Sequence, residues 1–349
     1  MIESNKKIFL RLIDCAQKSE RLIENTDNVR WIQTNDEEKA WLQFIELGNV
    51  RTISPRVKTA CFSYDGRNFF AAIGFAQSTN PDSVLELFEM NAGMFTALIA
   101  EMGVPIRDGV DPLAVINEIL PQYQGAGAYL GHSFALVAGF FEPVFVYEIR
   151  ADSPIKPDDL ARLSCFWILE NGERLVLPFS QRTRAEIKDL TAIGADTVPF
   201  DVLLNCMLSA QWTHAFLEVY RCVERLFSFQ IIEGLHKDLA LSIPLLKFAE
   251  KIETSIGWRP REEDAIARLF TLMPQPALDL MEAVRGNATA SSTEKIHRWV
   301  YDLRNSVVHF RPGTPQFPLT EAQWDDVVRA TVLLIEKIYG AYDAHLQAA

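Results

Sequence analysis

After about residue 200 the strand signals stop, and the chain beyond has the spacing of buried helices. The stretch DVLLNCMLSAQWTHAFLEVYRCVERLFSFQIIEGL (201–235) carries apolar residues at helical intervals and has Gly234 near its end. It reads as one long helix, too apolar to bury only a single stripe. Further helices are expected at about 242–256, 260–273 and 275–285. SSTEKIHRWVYDLRNSVVHF (291–310) opens with serine and threonine caps and Glu294, and Pro312-Gly313 stops it. A last helix is expected over 320–345, with TEAQ (320–323) at its start and Trp324, Val328, Val332, Leu333 and Ile335 inside. Residues 199–349 therefore read as an all-α helical bundle.

Before residue 200, short β-like runs alternate with turns. RVKTACFSYDGRNFFAAIGFA (56–76) reads as two strands joined at Asp65-Gly66, a strong hairpin signal. RLSCFWILENGERLVLPF (162–179) repeats that pattern around Asn171-Gly172, and FALVAGFFEPVFVYEIR (134–150) is strand-like with a break at Pro143. Helices are expected at 5–25, 82–103 and 183–193. PQYQGAGAYLGH (121–132) is a glycine-rich loop that lacks both the lysine of a phosphate-binding loop and the GxGxxG spacing. Residues 1–198 are thus expected to form an α+β domain with an antiparallel sheet. Its role reads as sensing, regulation or extension of a dimer.

A length of 349 residues favours two domains. No apolar run reaches the roughly 18 residues of a membrane span. MIESNKKIFLRLIDC has no uninterrupted apolar core and does not read as a signal peptide. The five cysteines, Cys15, Cys61, Cys165, Cys206 and Cys222, are scattered, odd in number and free of any CxxC pair. They point to a reducing, cytoplasmic setting with no disulfide framework and no zinc cluster. A net charge of −12 argues against broad, sequence-independent nucleic-acid binding. It leaves room for a local basic groove, or for docking of a basic partner.

One segment carries chemistry: DLRNSVVHFRP (302–312). Positions five apart on a helix are offset by about 140°, so Arg304 and His309 fall on adjoining faces near the helix end. Val307 and Val308 are expected to anchor the turn in the core, leaving Arg304, Asn305 and His309 at the border of a cleft.

RNSVVH (304–309) resembles the R-x4-H motif of the HEPN superfamily (higher eukaryote and prokaryote nucleotide-binding domains), with a polar residue directly after the arginine. FLEVYRCVERLF (216–227) is similar to the first HEPN helix with its acidic residue, and the likeness spans about residues 200–349. The resemblance implies a metal-independent endoribonuclease acting as a homodimer. Two motifs would meet at one cleft, and the product would end in a 2′,3′-cyclic phosphate. It implies no cofactor, an RNA substrate, and a role as toxin or antiphage defence effector with an antitoxin or other defence partner. Arg304 would hold the phosphorane-like transition state by paired hydrogen bonds, and His309 would move the proton. Asn305 would orient the arginine or the phosphate. Glu224 would fix the Arg304 rotamer or tune His309. Some HEPN toxins silenced by nucleotide transfer carry a tyrosine two positions after the histidine. Arg311 stands there instead and would add a phosphate contact. Arg221 is a further candidate contact to substrate.

Plainer readings stand beside these. Arg304 could pair with Asp302 or Glu224, His309 could cap carbonyls at the helix end, and Glu224 could pair with Arg221 or Arg225. The bundle would then be a non-catalytic nucleotide-binding, RNA-binding or dimerisation module. The seven tryptophans read as core or interface residues and not as base-stacking platforms, and the five cysteines as buried small residues.

Overall fold

The computed structural model describes residues 2–19, 30–77, 84–120, 129–172, 175–288, 295–309 and 317–347. The chain forms two compact units, Met1–Leu163 and Ser164–Ala349.

The first unit is α+β. Its elements are α1 (Ile2–Ala16), α2 (Asp36–Phe44), β1 (Glu46–Thr52), β2 (Lys58–Tyr64), β3 (Arg67–Ile73), β4 (Leu85–Phe88), α3 (Ala92–Glu101), α4 (Pro112–Glu118), α5 (Phe134–Ala138) and β5 (Val144–Ile149). The strands form one antiparallel sheet in the order β1-β2-β3-β5-β4. The Asp65-Gly66 hairpin is present: Tyr64 faces Arg67, and both turn residues have positive φ, 50° and 72°. That backbone is what a two-residue loop needs to follow the strand twist, and Asp-Gly supplies it at low steric cost. Alternate residues of the central strands, Ala60 and Phe62, Phe69, Ala71 and Ile73, Val144 and Val146, share one core. That core includes Ile8 and Leu12 of α1 and Phe95 and Leu98 of α3. Trp41 stacks on Tyr64 at 3.7 Å and meets Phe69 edge-on at 5.5 Å, which ties α2 to the sheet.

Three expectations for this region are corrected. The helix expected over 82–103 is a strand followed by a shorter helix. Leu85–Phe88 pairs with β5, and Asn91 caps the helix by accepting from the Met94 amide at 2.8 Å. The strand expected over 134–150 begins as α5, capped by Ser133, and only Val144–Ile149 is sheet. The helix expected over 5–25 ends at Ala16, and residues 20–29 lie outside the described residues. Most of the glycine-rich stretch 121–132 lies outside them as well.

The helix α6 (Leu160–Asn171) replaces the second expected hairpin. Its run Leu163–Leu169 is buried throughout, and an apolar run of that kind has no period that separates strand from helix. Asn171-Gly172 ends this helix and does not turn a hairpin: the Gly172 amide donates to Ile168 O at 2.8 Å.

The second unit continues with α7 (Gln181–Ile193), α8 (Phe200–Leu208), α9 (Trp212–Glu224), α10 (Phe229–Asp238), α11 (Leu245–Ile256), α12 (Glu262–Leu269), α13 (Gln275–Ala288), α14 (Ile296–Val308) and α15 (Glu321–Gln347). The units divide at Leu163/Ser164 and not at the expected change near 198. The reason lies in α7, which packs on α15. Its N-terminus is held by Asp325, which accepts from the Ser180 amide at 3.1 Å and the Thr183 hydroxyl at 3.0 Å. The long helix expected over 201–235 is three helices. The backbone is extended at Ser209 and Gln211, and α9 stops at Glu224. Helix α15 has the expected start: Thr320 and Gln323 exchange bonds between side chain and backbone amide. Its 27 residues bury Trp324, Val328, Ile335, Tyr339 and Tyr342, and it packs on α7, α9 and α13. Among the described residues no helix is long and apolar enough to cross a membrane.

Candidate functional site

Helix α14 is positioned by four residues at the spacing i, i+3, i+4, i+7: Ile296, Trp299, Val300 and Leu303, all buried. Burying side chains such as Trp299 and Leu303 stabilises by about 1.5–3 kcal/mol each. The two valines expected to anchor the turn do not: Val307 is only partly buried and Val308 is 44 % exposed. The next core position of the series would be Val307, and the helix ends one residue after it. The capping segment 291–294 lies outside the described residues.

With that stripe inward, Arg304 stands at its edge with a side chain 18 % exposed. Its Nη2 donates to Glu224 Oε1 at 3.0 Å, and its Nη1 donates to Asn305 Oδ1 at 3.1 Å. Nη1 also lies 3.5 Å from Glu262 Oε2. The guanidinium carbon sits 5.8 Å from the Tyr220 ring centroid. Glu224 is the last residue of α9, and Tyr220 lies one turn before it on the same face. Burial pushes the Glu224 carboxyl above the usual carboxylate range; the positive charge of Arg304 works against that, and the negative charge of Glu262 adds to it. Burial likewise raises the Tyr220 phenol, whose hydroxyl has no hydrogen-bond partner among the described residues.

The structure thus brings Arg304, Asn305 and Glu224 together. His309 is the C-cap residue of α14: its amide donates to Asn305 O at 2.8 Å, and its side chain is exposed. Among the described residues the imidazole makes no hydrogen bond or ion pair. Arg221 points elsewhere, donating to Glu218 at 3.0 and 3.2 Å with a largely exposed side chain. Its charge still reaches Glu224. Asp302, the other carboxylate considered for Arg304, accepts from Arg298 at 3.1 Å. Arg311 and Pro312-Gly313 lie outside the described residues.

Glu262 and Tyr220 belong to the cluster and were not singled out in the sequence. Tyr220 had a signal, since it precedes Glu224 by one helical turn. Glu262 had only a weak one: it opens the acidic first turn of α12, where a carboxylate is also what a helix start favours without any partner.

All five cysteines are free and buried, and burial pushes the thiols of Cys61 and Cys222 up to about 12. Such thiols are poor nucleophiles. Among the described residues no three His, Cys, Asp or Glu side chains are grouped to hold a metal ion.

Comparison of the chain with protein-family models, with curated proteins and with solved structures finds no match.

Proposed function

We propose that this protein is a metal-independent endoribonuclease of the HEPN kind. The observation that carries the reading is the end of α14, where Arg304 is oriented by Glu224 and an exposed imidazole follows at His309. In the reaction His309 takes the proton from a ribose 2′-hydroxyl, or returns one to the departing 5′-oxygen. The 2′-oxygen forms a bond to phosphorus and the P–O5′ bond breaks. The products are a 2′,3′-cyclic phosphate and a 5′-hydroxyl end, with no atom or electron needed from outside. Arg304 binds the non-bridging oxygens as charge builds on them, which a planar two-armed donor does better than a point charge. Asn305 and Glu224 keep the guanidinium plane in place. A second copy of the chain supplies the other half of a composite cleft, and the biological setting is that of a toxin or defence effector acting with a partner protein.

The test is cleavage of RNA by purified protein in the presence of EDTA. Wild type cleaves, while Arg304→Ala and His309→Ala do not. Loss of cleavage on chelation, or full activity in both variants, sinks the mechanism.

A second reading has its own support. The Arg304 guanidinium is engaged by two carboxylates and an amide, as a structural arginine would be. On that reading the helical unit is a non-catalytic nucleotide-binding, RNA-binding or dimerisation module. RNA bound without cleavage, with affinity unchanged in His309→Ala, would favour it.

A further inference from the structure

The surroundings of Arg304 contain a conflict that the ribonuclease reading leaves open. A phosphate needs donors from the guanidinium, and two of its five N–H groups are already used. One on Nη2 bonds Glu224 and one on Nη1 bonds Asn305, and the Glu262 carboxylate lies against Nη1 at 3.5 Å. Two carboxylates also face this one guanidinium, and an incoming polyanion meets their charge.

The three partners are not equivalent. Glu224 makes a 3.0 Å hydrogen bond and is 29 % exposed; Asn305 is fixed beside Arg304 on the same helix. Glu262 is the most distant, at 3.5 Å, and the most open, at 42 %. A 3.5 Å contact to so exposed a carboxylate contributes little, whereas stripping the more buried carboxylate of its cation costs more. Glu262 is therefore the partner that yields first.

The frame around it holds while it does. The next residue, Glu263, pairs with Arg298 at 2.5 Å, and Arg298 also pairs with Asp302 at 3.1 Å. That bridge is itself exposed on both sides, so the start of α12 is kept in place chiefly by its apolar packing. Ala265, Ile266 and Leu269 are buried behind it.

We propose that Glu262 is a releasable stopper on Arg304. It lies 3.5 Å from Nη1 in the unliganded protein, where it screens the open side of the guanidinium, and an RNA phosphate displaces it. Glu224 stays in place and acts as the positioning residue. This rests on the reading of Arg304 as the phosphate-binding group. It adds a regulatory contact from α12, outside the R-x4-H segment.

The experiment measures affinity for an oligoribonucleotide whose 2′-hydroxyls are methylated, so that binding is read without cleavage. Glu262→Gln is expected to bind it about two- to fivefold more tightly than wild type, the converse of the small cost of an exposed ion pair. In an Arg304→Ala background the gain disappears. Glu263→Gln, which removes the same charge one residue away, is expected to show no such gain. Glu262→Asp is the second variant if the amide disturbs the helix start. It keeps the charge of the first turn, withdraws the carboxylate by one methylene, and shifts affinity the same way. The inference is overturned if Glu262→Gln binds no more tightly, if its gain survives removal of Arg304, if Glu263→Gln matches it, or if no form of the protein binds. Failure of wild type to cleave unmodified RNA, with this binding pattern intact, overturns the ribonuclease reading alone. Cleavage by wild type with unchanged binding in Glu262→Gln overturns the stopper alone.

Discussion

Glu224 and Arg304 lie 80 residues apart in the chain and meet at 3.0 Å, where the end of α9 passes the last turn of α14. Neither residue is remarkable for its type. The Tyr220 ring centroid lies 5.8 Å from the guanidinium carbon, and burial raises the Glu224 carboxyl.

The first prediction separates the two basic groups. His309→Ala is expected to lower kcat by about 10²–10⁴, the usual worth of a positioned acid–base group, with little effect on KM. Arg304→Lys keeps the charge and loses the planar fork, so it is expected to remain well below wild type. Steady-state cleavage of a defined RNA checks both, and wild-type rates in either variant would count against these roles.

The second concerns the titration of Glu224. Its carboxyl is expected to titrate above the ordinary glutamate range, because burial disfavours the charged form. A folded state that binds this proton more tightly than the unfolded chain gains stability from the group as pH falls through that interval, and loses it as pH rises. Carbon-detected NMR titration of the side chain reads the position directly. Glu262→Gln is expected to move it down and Arg304→Gln to move it up; shifts of opposite sign would contradict the assignment of causes.

A third prediction addresses the packing of α7 on α15. Asp325 is buried and receives the Ser180 amide and the Thr183 hydroxyl. Asp325→Ala strands both donors and is expected to destabilise the second unit by about 1–3 kcal/mol. Urea unfolding followed by circular dichroism checks it, with an unchanged midpoint as the contrary result.

The fourth lies in the first unit. Gly93, at the start of α3, approaches α2 so closely that an added Cβ would sit 1.8 Å from Glu38 O. That oxygen is backbone and cannot swing aside. Gly93→Ala is therefore expected to cost about 1–3 kcal/mol or more by overpacking, despite the better helix propensity of alanine. Thermal unfolding that is unchanged or shifted upward would show that the two helices separate freely.

Much of the architecture was legible where a local signal was unambiguous. Asp65-Gly66 dictated its own hairpin, because few dipeptides tolerate two positive φ angles. Thr320 and Gln323 announced the start of α15. The helical character of the second half followed from its spacing. Misreadings arose where one pattern served two structures. The apolar run Leu163–Leu169 suits a buried strand as well as a buried helix, and Asn171-Gly172 can turn a hairpin or end a helix. The stretch 201–235 kept its helical period through two breaks, since period alone does not mark where a helix stops.

The sequence by itself determined the nature of the two halves, the first hairpin, and the helix that carries Arg304, Asn305 and His309, because short-range backbone preference and hydrophobic spacing suffice for these. Only the tertiary structure decided which carboxylates meet Arg304, that Arg221 turns to Glu218, and that Val308 faces outward. Those outcomes depend on how α9, α12 and α14 are set against one another in space. That geometry is a property of packed surfaces contributed by segments far apart in the chain, and no short stretch of residues contains it.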